Sequence, residues 1–142
     1  MFDLRLILNS FAIACCLFAW WKGGPAERWA SVAVLANILV GQTGHYLAPN
    51  LNDQIRLVND GVTALVLLGI TVRFGALWMG GVMLFYAAQF AMHSFYIVMQ
   101  RDSDYFRSLI NNLNFFGIVS CLIIGTIVAW RARLRRSRVA AT

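Results

Sequence analysis

The stretch VNDGVTALVLLGITVRFGALWMGGVMLFYAAQFAMHSFY, residues 58–96, decides the fold. It holds two apolar runs back to back, parted by Arg73-Phe74-Gly75, with Asp60 at its head and His93 near its tail. A helix needs ~20 residues to cross a bilayer, so one continuous helix here would be about twice too long. The stretch is therefore expected to turn at Arg73-Phe74-Gly75. Such a hairpin returns Asp60 and His93 to the same side of a membrane.

The rest of the chain fits the same reading. Its 142 residues are 60% hydrophobic and only 13% charged, where a soluble domain carries about a quarter charged residues. Charge-poor runs of spanning length recur. They predict an all-α integral membrane bundle of five transmembrane helices, at about 4–21, 29–47, 57–72, 76–99 and 108–130. The breaks are Lys22-Gly23-Gly24-Pro25, Ala48-Pro49-Asn50 and two polar loops, Asn50 to Arg56 and Gln100 to Arg107. Residues 1–130 form a single domain in this reading, and 131–142 form a basic tail. The first run is expected to stay in place as a helix, because no A-x-A site precedes Lys22 and the positive charge follows the apolar run.

Five spans put the termini on opposite sides. One side holds Lys22, Arg28, Arg73, Arg131, Arg133, Arg135, Arg136 and Arg138. The other holds Arg5, Arg56, Arg101 and Arg107, so the twelve basic residues divide eight to four. The excess predicts a cytoplasmic C-terminus and an outer N-terminus; a location in the bacterial inner membrane is what the resemblance given below implies. The excess also answers the net charge of +6. A basic cluster directly after an apolar run faces anionic lipid headgroups, so membrane lipids are the expected partners and nucleic acid is not.

Cys15, Cys16 and Cys121 all lie in apolar runs, without CxxC spacing, and read as packing residues. Gly117, Cys121 and Gly125 recur every fourth residue, as do Ala33, Asn37 and Gly41. Small-residue faces of this kind let helix backbones approach closely, within the chain or against another protomer.

The polar residues gather at one end. His45 lies 16 residues past Trp29, about 24 Å of helix rise, and His93 lies 18 past Gly75, about 27 Å. The two histidines therefore sit at similar depth in the outer leaflet. Asn37 and Gly41 share the face of His45, and Tyr86, Gln89 and Tyr96 share that of His93. Asn59 and Asp60 open the third segment, and Asn111 and Asn112 stand near the start of the fifth. One reading is a solvated helix end, with Asp60 in a first turn favouring the helix dipole. The other is a site, since ionisable groups inside a membrane segment are functional candidates by default. His45 and His93 could then ligate a haem b iron or another metal, with Asn37, Asp60 or Gln89 orienting an imidazole.

Asp60 opening an apolar helix, Arg73 in a short turn, and Leu77-Trp78 on a helix that carries His93 late resemble small multi-pass inner-membrane proteins of alphaproteobacterial type. The likeness covers about Val58 to Trp130. It implies the architecture and carries no activity.

No nucleophile elbow, P-loop, HExxH or intramembrane carboxylate pair is present, so an enzyme is not expected. The expected function is a non-enzymatic accessory or scaffold subunit of a membrane assembly, bound to a membrane-protein partner or to copies of itself. The alternatives are a redox anchor holding haem b between His45 and His93, and a small transporter or channel with an outer-leaflet polar cavity.

Overall fold

A computed structural model describes residues 4–102 and 104–139. Among these the chain forms five α-helices and no strand: α1 (Leu4–Lys22), α2 (Pro25–Leu47), α3 (Asn52–Phe74), α4 (Leu77–Val98) and α5 (Tyr105–Val139). A single 3₁₀ turn at Pro49–Leu51 leads into α3.

The helix ends follow from local chemistry. Gly23 and Gly24 break the chain after α1. Pro25 then opens α2, where its fixed φ suits the first helical position and its missing N–H costs nothing. This is a correction, because the sequence reading puts Pro25 in the break and starts α2 only at about residue 29. Glu27 supports the start by accepting a bond from the Gly24 amide, 2.8 Å. Gly75, at φ 63°, ends α3 in the left-handed conformation that glycine adopts without strain. Asp104 opens α5 by accepting a bond from the Arg107 amide at 2.8 Å, the bond an N-cap side chain makes.

Two further corrections concern α3 and α5. Asn52 to Arg56, read as loop by their polarity, form the first turn of α3, where the Arg56 side chain bonds Asn52 Oδ1 at 3.3 Å. Asp60 consequently lies about 12 Å along the helix, not in its first turn. It is buried, only 3% exposed. The fifth helix does not stop at residue 130 either. α5 continues through the arginine-rich tail to Val139, with Arg131 to Arg138 exposed; the last three residues of the expected tail lie outside the described ones.

Each helix packs on the next, and α5 returns to touch both α1 and α2. Paired positions run oppositely along neighbours. Gly44 of α2 meets Ile55 of α3, and Gly41 nears Asn59. On α5, Gly125 faces Trp78, Cys121 faces Gly81 and Gly117 faces Phe85. The small-residue stripe of α5 is thus filled by α4, which resolves its packing within the chain. Gly41 and Asn37 of the α2 stripe face α3.

The core is made of small and aliphatic side chains, among them Ala12, Cys16 and Ala19 of α1, Ala30 and Val34 of α2, Leu67, Val82, Ile118 and Leu122. The outer surface is apolar as well, with Leu65, Leu77, Leu84 and Val128 exposed. α3, α4 and α5 are long and apolar enough to cross a membrane, and α1 is apolar over Ile7–Lys22. α2 carries Glu27, Arg28, Asn37, Gln42 and His45, which lower its apolar character.

Candidate functional site

The antiparallel register brings the end of α2, the start of α3, the end of α4 and the start of α5 to one end of the bundle. A cavity of about 670 Å³ opens there. Exposed Arg101 and Asp102 stand on its lining, and it reaches down to buried Asp60, Gln89 and His93. Asn37, His45, Asn111 and Asn112 also line it.

The α2–α3 wall is a hydrogen-bond cluster. Asn37 Nδ2 donates to Asp60 Oδ1 at 3.0 Å and to Thr63 Oγ1 at 3.1 Å. Asn59 Nδ2 donates back to the Asn37 carbonyl at 2.8 Å, and the Thr63 hydroxyl donates to the Asn59 carbonyl at 2.7 Å. Asn37 is therefore tied to α3 at three points. On the α4–α5 wall, Gln89 Nε2 donates to Asn111 Oδ1 at 3.3 Å.

His93 joins the two walls. Its Nε2 lies 3.4 Å from Asp60 Oδ2, close but without hydrogen-bond alignment. Its Nδ1 lies 3.3 Å from Arg107 NH2. A guanidinium can only donate, so Nδ1 must accept and the neutral ring carries its proton on Nε2, facing Asp60. Arg107 also clasps Asp53, with NH1 3.1 Å from Oδ2 and NH2 2.7 Å from Oδ1. The result is a line of charged and polar groups, Asp60, His93, Arg107 and Asp53, from the cavity floor towards its mouth. Asp60 Oδ2, Gln89 Oε1 and His93 Nε2 are buried with no hydrogen-bond partner among the described residues.

This arrangement bears on the haem expectation. An axial imidazole binds iron through one nitrogen while the other donates to an acceptor. At His93 the second nitrogen meets a donor instead. His45 lines the same cavity, at the last turn of α2, and packs edge-on against Tyr46 at 5.4 Å. Among the described residues no three His, Cys, Asp or Glu side chains gather as a metal-binding group.

Tyr96, expected in the polar cluster on the face of Gln89 and His93, is not on the cavity lining. It buttresses the site from behind: its hydroxyl donates to Asp104 Oδ1 at 2.6 Å, and its ring lies 5.1 Å from the Arg107 guanidinium. The Tyr96 hydroxyl, followed by the Arg107 amide, holds the Asp104 carboxyl below its ordinary range.

Arg107 and Asp53 are the site residues that reading by segments missed, because both fell in presumed loops. Their signal was present. Arg107, Asn111 and Asn114 are spaced i, i+4, i+7, one face of a helix, and Asp104 three residues earlier is an N-cap residue in the right place.

No family model, curated protein or solved structure matches the chain.

Proposed function

We propose that the chain is a five-span protein of the bacterial inner membrane, N-terminus outside, that binds a small polar solute in its outer cavity and passes it across or along the membrane. The cavity carries this reading. Its volume falls within the ~300–1,000 Å³ usual for small-molecule sites; amides, carboxylates, guanidinium groups and imidazoles make up most of its walls, with Leu8, Ile38 and Phe115 among them. Groups of both signs favour a zwitterionic or uncharged, hydrogen-bonding solute over a simple ion. Asp60 Oδ2, Gln89 Oε1 and His93 Nε2 offer two acceptors and a donor to such a ligand.

The accessory-subunit reading rests on the lack of catalytic motifs together with small-residue faces and exposed aromatic side chains. The α5 face is occupied by Trp78 and Phe85 of the same chain, and lipid accounts for the exposed aromatics. Neither feature calls for a buried ionisable line along a cavity. The likeness to small multi-pass proteins of alphaproteobacterial type agrees with the architecture and is silent on the solute.

The test is a thermal-shift screen of the detergent-purified chain against amino acids, sugars, carboxylates and alkali cations, followed by flux of any hit in liposomes. A member of the zwitterionic or uncharged classes should stabilise the wild type, and Asp60→Asn or Gln89→Ala should remove that stabilisation. A chain that no member stabilises, and that purifies only with a tightly held membrane-protein partner, would return the accessory reading to first place.

A further inference from the structure

A second, separate cavity lies at the opposite end of the bundle, and its chemistry differs. It encloses about 350 Å³ between the α1–α2 turn and α5, and its side walls are Trp20, Arg28, Trp29 and Arg133. Two guanidinium groups are fixed there by backbone carbonyls at the end of α1. Arg28 Nε donates to the Trp20 carbonyl at 3.1 Å. Arg133 donates from NH1 to the Gly23 carbonyl at 3.1 Å and from NH2 to the Lys22 carbonyl. Carbonyls at a helix C-terminus attract cations, so part of the arginines' role is to close α1. Each guanidinium has five N–H donors, however, and the carbonyls engage a minority of them.

The charge around this pocket is unbalanced. The sole glutamate of the chain, Glu27, is buried and bonded to the Gly24 amide. Every other described acid, Asp53, Asp60, Asp102 and Asp104, belongs to the far end. Neither Arg28 nor Arg133 makes an ion pair among the described residues. Lys22 is set apart from the pocket, its ammonium 4.2 Å from the centre of the Trp21 ring and 5.5 Å from that of Trp130. Glu27, engaged by the Gly24 amide, is the one described acid at this end, and it pairs with neither arginine, so the two fixed guanidinium groups keep an excess of positive charge open to an anion from outside the chain. The surroundings say which anion: Trp20 is exposed near the end of apolar α1 and Trp29 near the start of α2, and in a membrane indole rings sit at headgroup level.

We infer that Arg28 and Arg133 form a binding site for the phosphate of an anionic membrane phospholipid, with Trp20 and Trp29 against the glycerol and upper acyl chain. The site rests on the chain lying in a membrane and not on the solute cavity, so each can fail alone. The paired forks suit a phosphate oxygen pair better than two ammonium groups would.

The test is native mass spectrometry of the full chain, purified in mild detergent and incubated with equal amounts of phosphatidylglycerol and phosphatidylcholine. The wild type should retain phosphatidylglycerol selectively. Arg28→Gln with Arg133→Gln keeps donors for the carbonyls and removes both charges. It should lower that retention roughly thirtyfold, the scale of two basic groups at an anionic surface. Arg28→Gln alone, which leaves the Arg133 cap of α1 in place, should lower it several-fold if the double variant does not fold. Arg135→Ala with Arg136→Ala and Arg138→Ala should leave it intact, since these lie outside the pocket. Unselective retention by the wild type, or equal loss in the tail variant, would overturn the site. Displacement of the lipid by millimolar inorganic phosphate would assign the pocket to a free anion and likewise refute a lipid site.

Discussion

Arg107 on α5 holds Asp53 on α3 by two parallel bonds, 2.7 and 3.1 Å long, and places the same guanidinium 3.3 Å from His93 on α4. Three helices that are not all neighbours in sequence are thus fastened at the cavity mouth by one side chain. Asp53 is partly exposed, so the pair lies between the weak surface case and the strong buried case. Arg107→Ala is expected to cost about 1–3 kcal/mol of stability in detergent, within that range. Arg107→Lys should recover only part, because an ammonium cannot reproduce the fork. A double-mutant cycle with Asp53→Ala checks the assignment: additive losses would mean the clasp contributes nothing.

The position of the His93 proton follows from the same contact. With Arg107 donating to Nδ1, the neutral ring is protonated on Nε2. Nitrogen NMR of the histidine-labelled chain should report Nδ1 unprotonated and Nε2 protonated. In Arg107→Ala the constraint is gone, and the tautomers should mix. A wild-type ring protonated on Nδ1 would contradict the contact and would reopen His93 as a metal ligand through Nε2.

The Asn37 knot gives a graded series. Asn37 Nδ2 serves both Asp60 and Thr63, and its carbonyl takes the Asn59 amide. Interhelical hydrogen bonds inside membrane proteins average ~0.6 kcal/mol, with a maximum of ~1.7. Asn37→Ala removes two of them and should cost about 1–2 kcal/mol on that scale. Thr63→Val removes one of the two and should cost less. Equal stability of Asn37→Ala and wild type in thermal unfolding would mean the knot is ornamental to the fold.

How far the sequence carried this structure depends on what kind of fact was needed. Helix number and the turn at Gly75 follow from counting residues, because helix rise is constant. The bonding of Asp60 did not follow. Its depth depends on where α3 begins, and Asn52, Asp53, Gln54 and Arg56 look like loop residues by polarity alone. They form a helical turn in which the Arg56 side chain bonds Asn52 Oδ1, a start that polarity alone does not reveal. The stripe of Gly117, Cys121 and Gly125 was legible as a contact face, but not its partner, since spacing says that something packs closely and nothing about what. Tyr96 shared a face with Gln89 and His93 by spacing; the bond that turns it to Asp104 depends on where the α4–α5 loop returns.

Close approach along the α4–α5 seam makes a second stability series. A Cβ at Gly125 would stand 2.4 Å from the Trp78 ring, inside any tolerable contact, while one at Gly69 or Gly80 meets nothing within 4 Å. Gly125→Ala is therefore expected to lose about 1–3 kcal/mol through overpacking. Gly69→Ala and Gly80→Ala should be neutral or gain up to ~1 kcal/mol from helix propensity. Thermal unfolding of the three variants side by side decides it, and a stabilising Gly125→Ala would mean α4 and α5 are further apart than described.

The five-span topology has one discriminating position. Asn50→Cys and Asp102→Cys should react with a membrane-impermeant maleimide from outside, and Arg73→Cys and Arg135→Cys only after the membrane is opened. The native Cys15 and Cys16 are buried and Cys121 is partly buried against α4, so they supply a low background. These four sites report α3, α4 and α5 but leave α1 and α2 undecided, because a hairpin that never entered the membrane would put Asn50 outside as well. Lys22→Cys separates the cases. It should be protected from the outer reagent if α1 and α2 both cross, since the α1–α2 turn then lies beside Arg133 at the cytoplasmic face. Labelling of Lys22→Cys from outside would reduce the spans to the three long apolar helices, and would also remove the lipid pocket from the cytoplasmic leaflet.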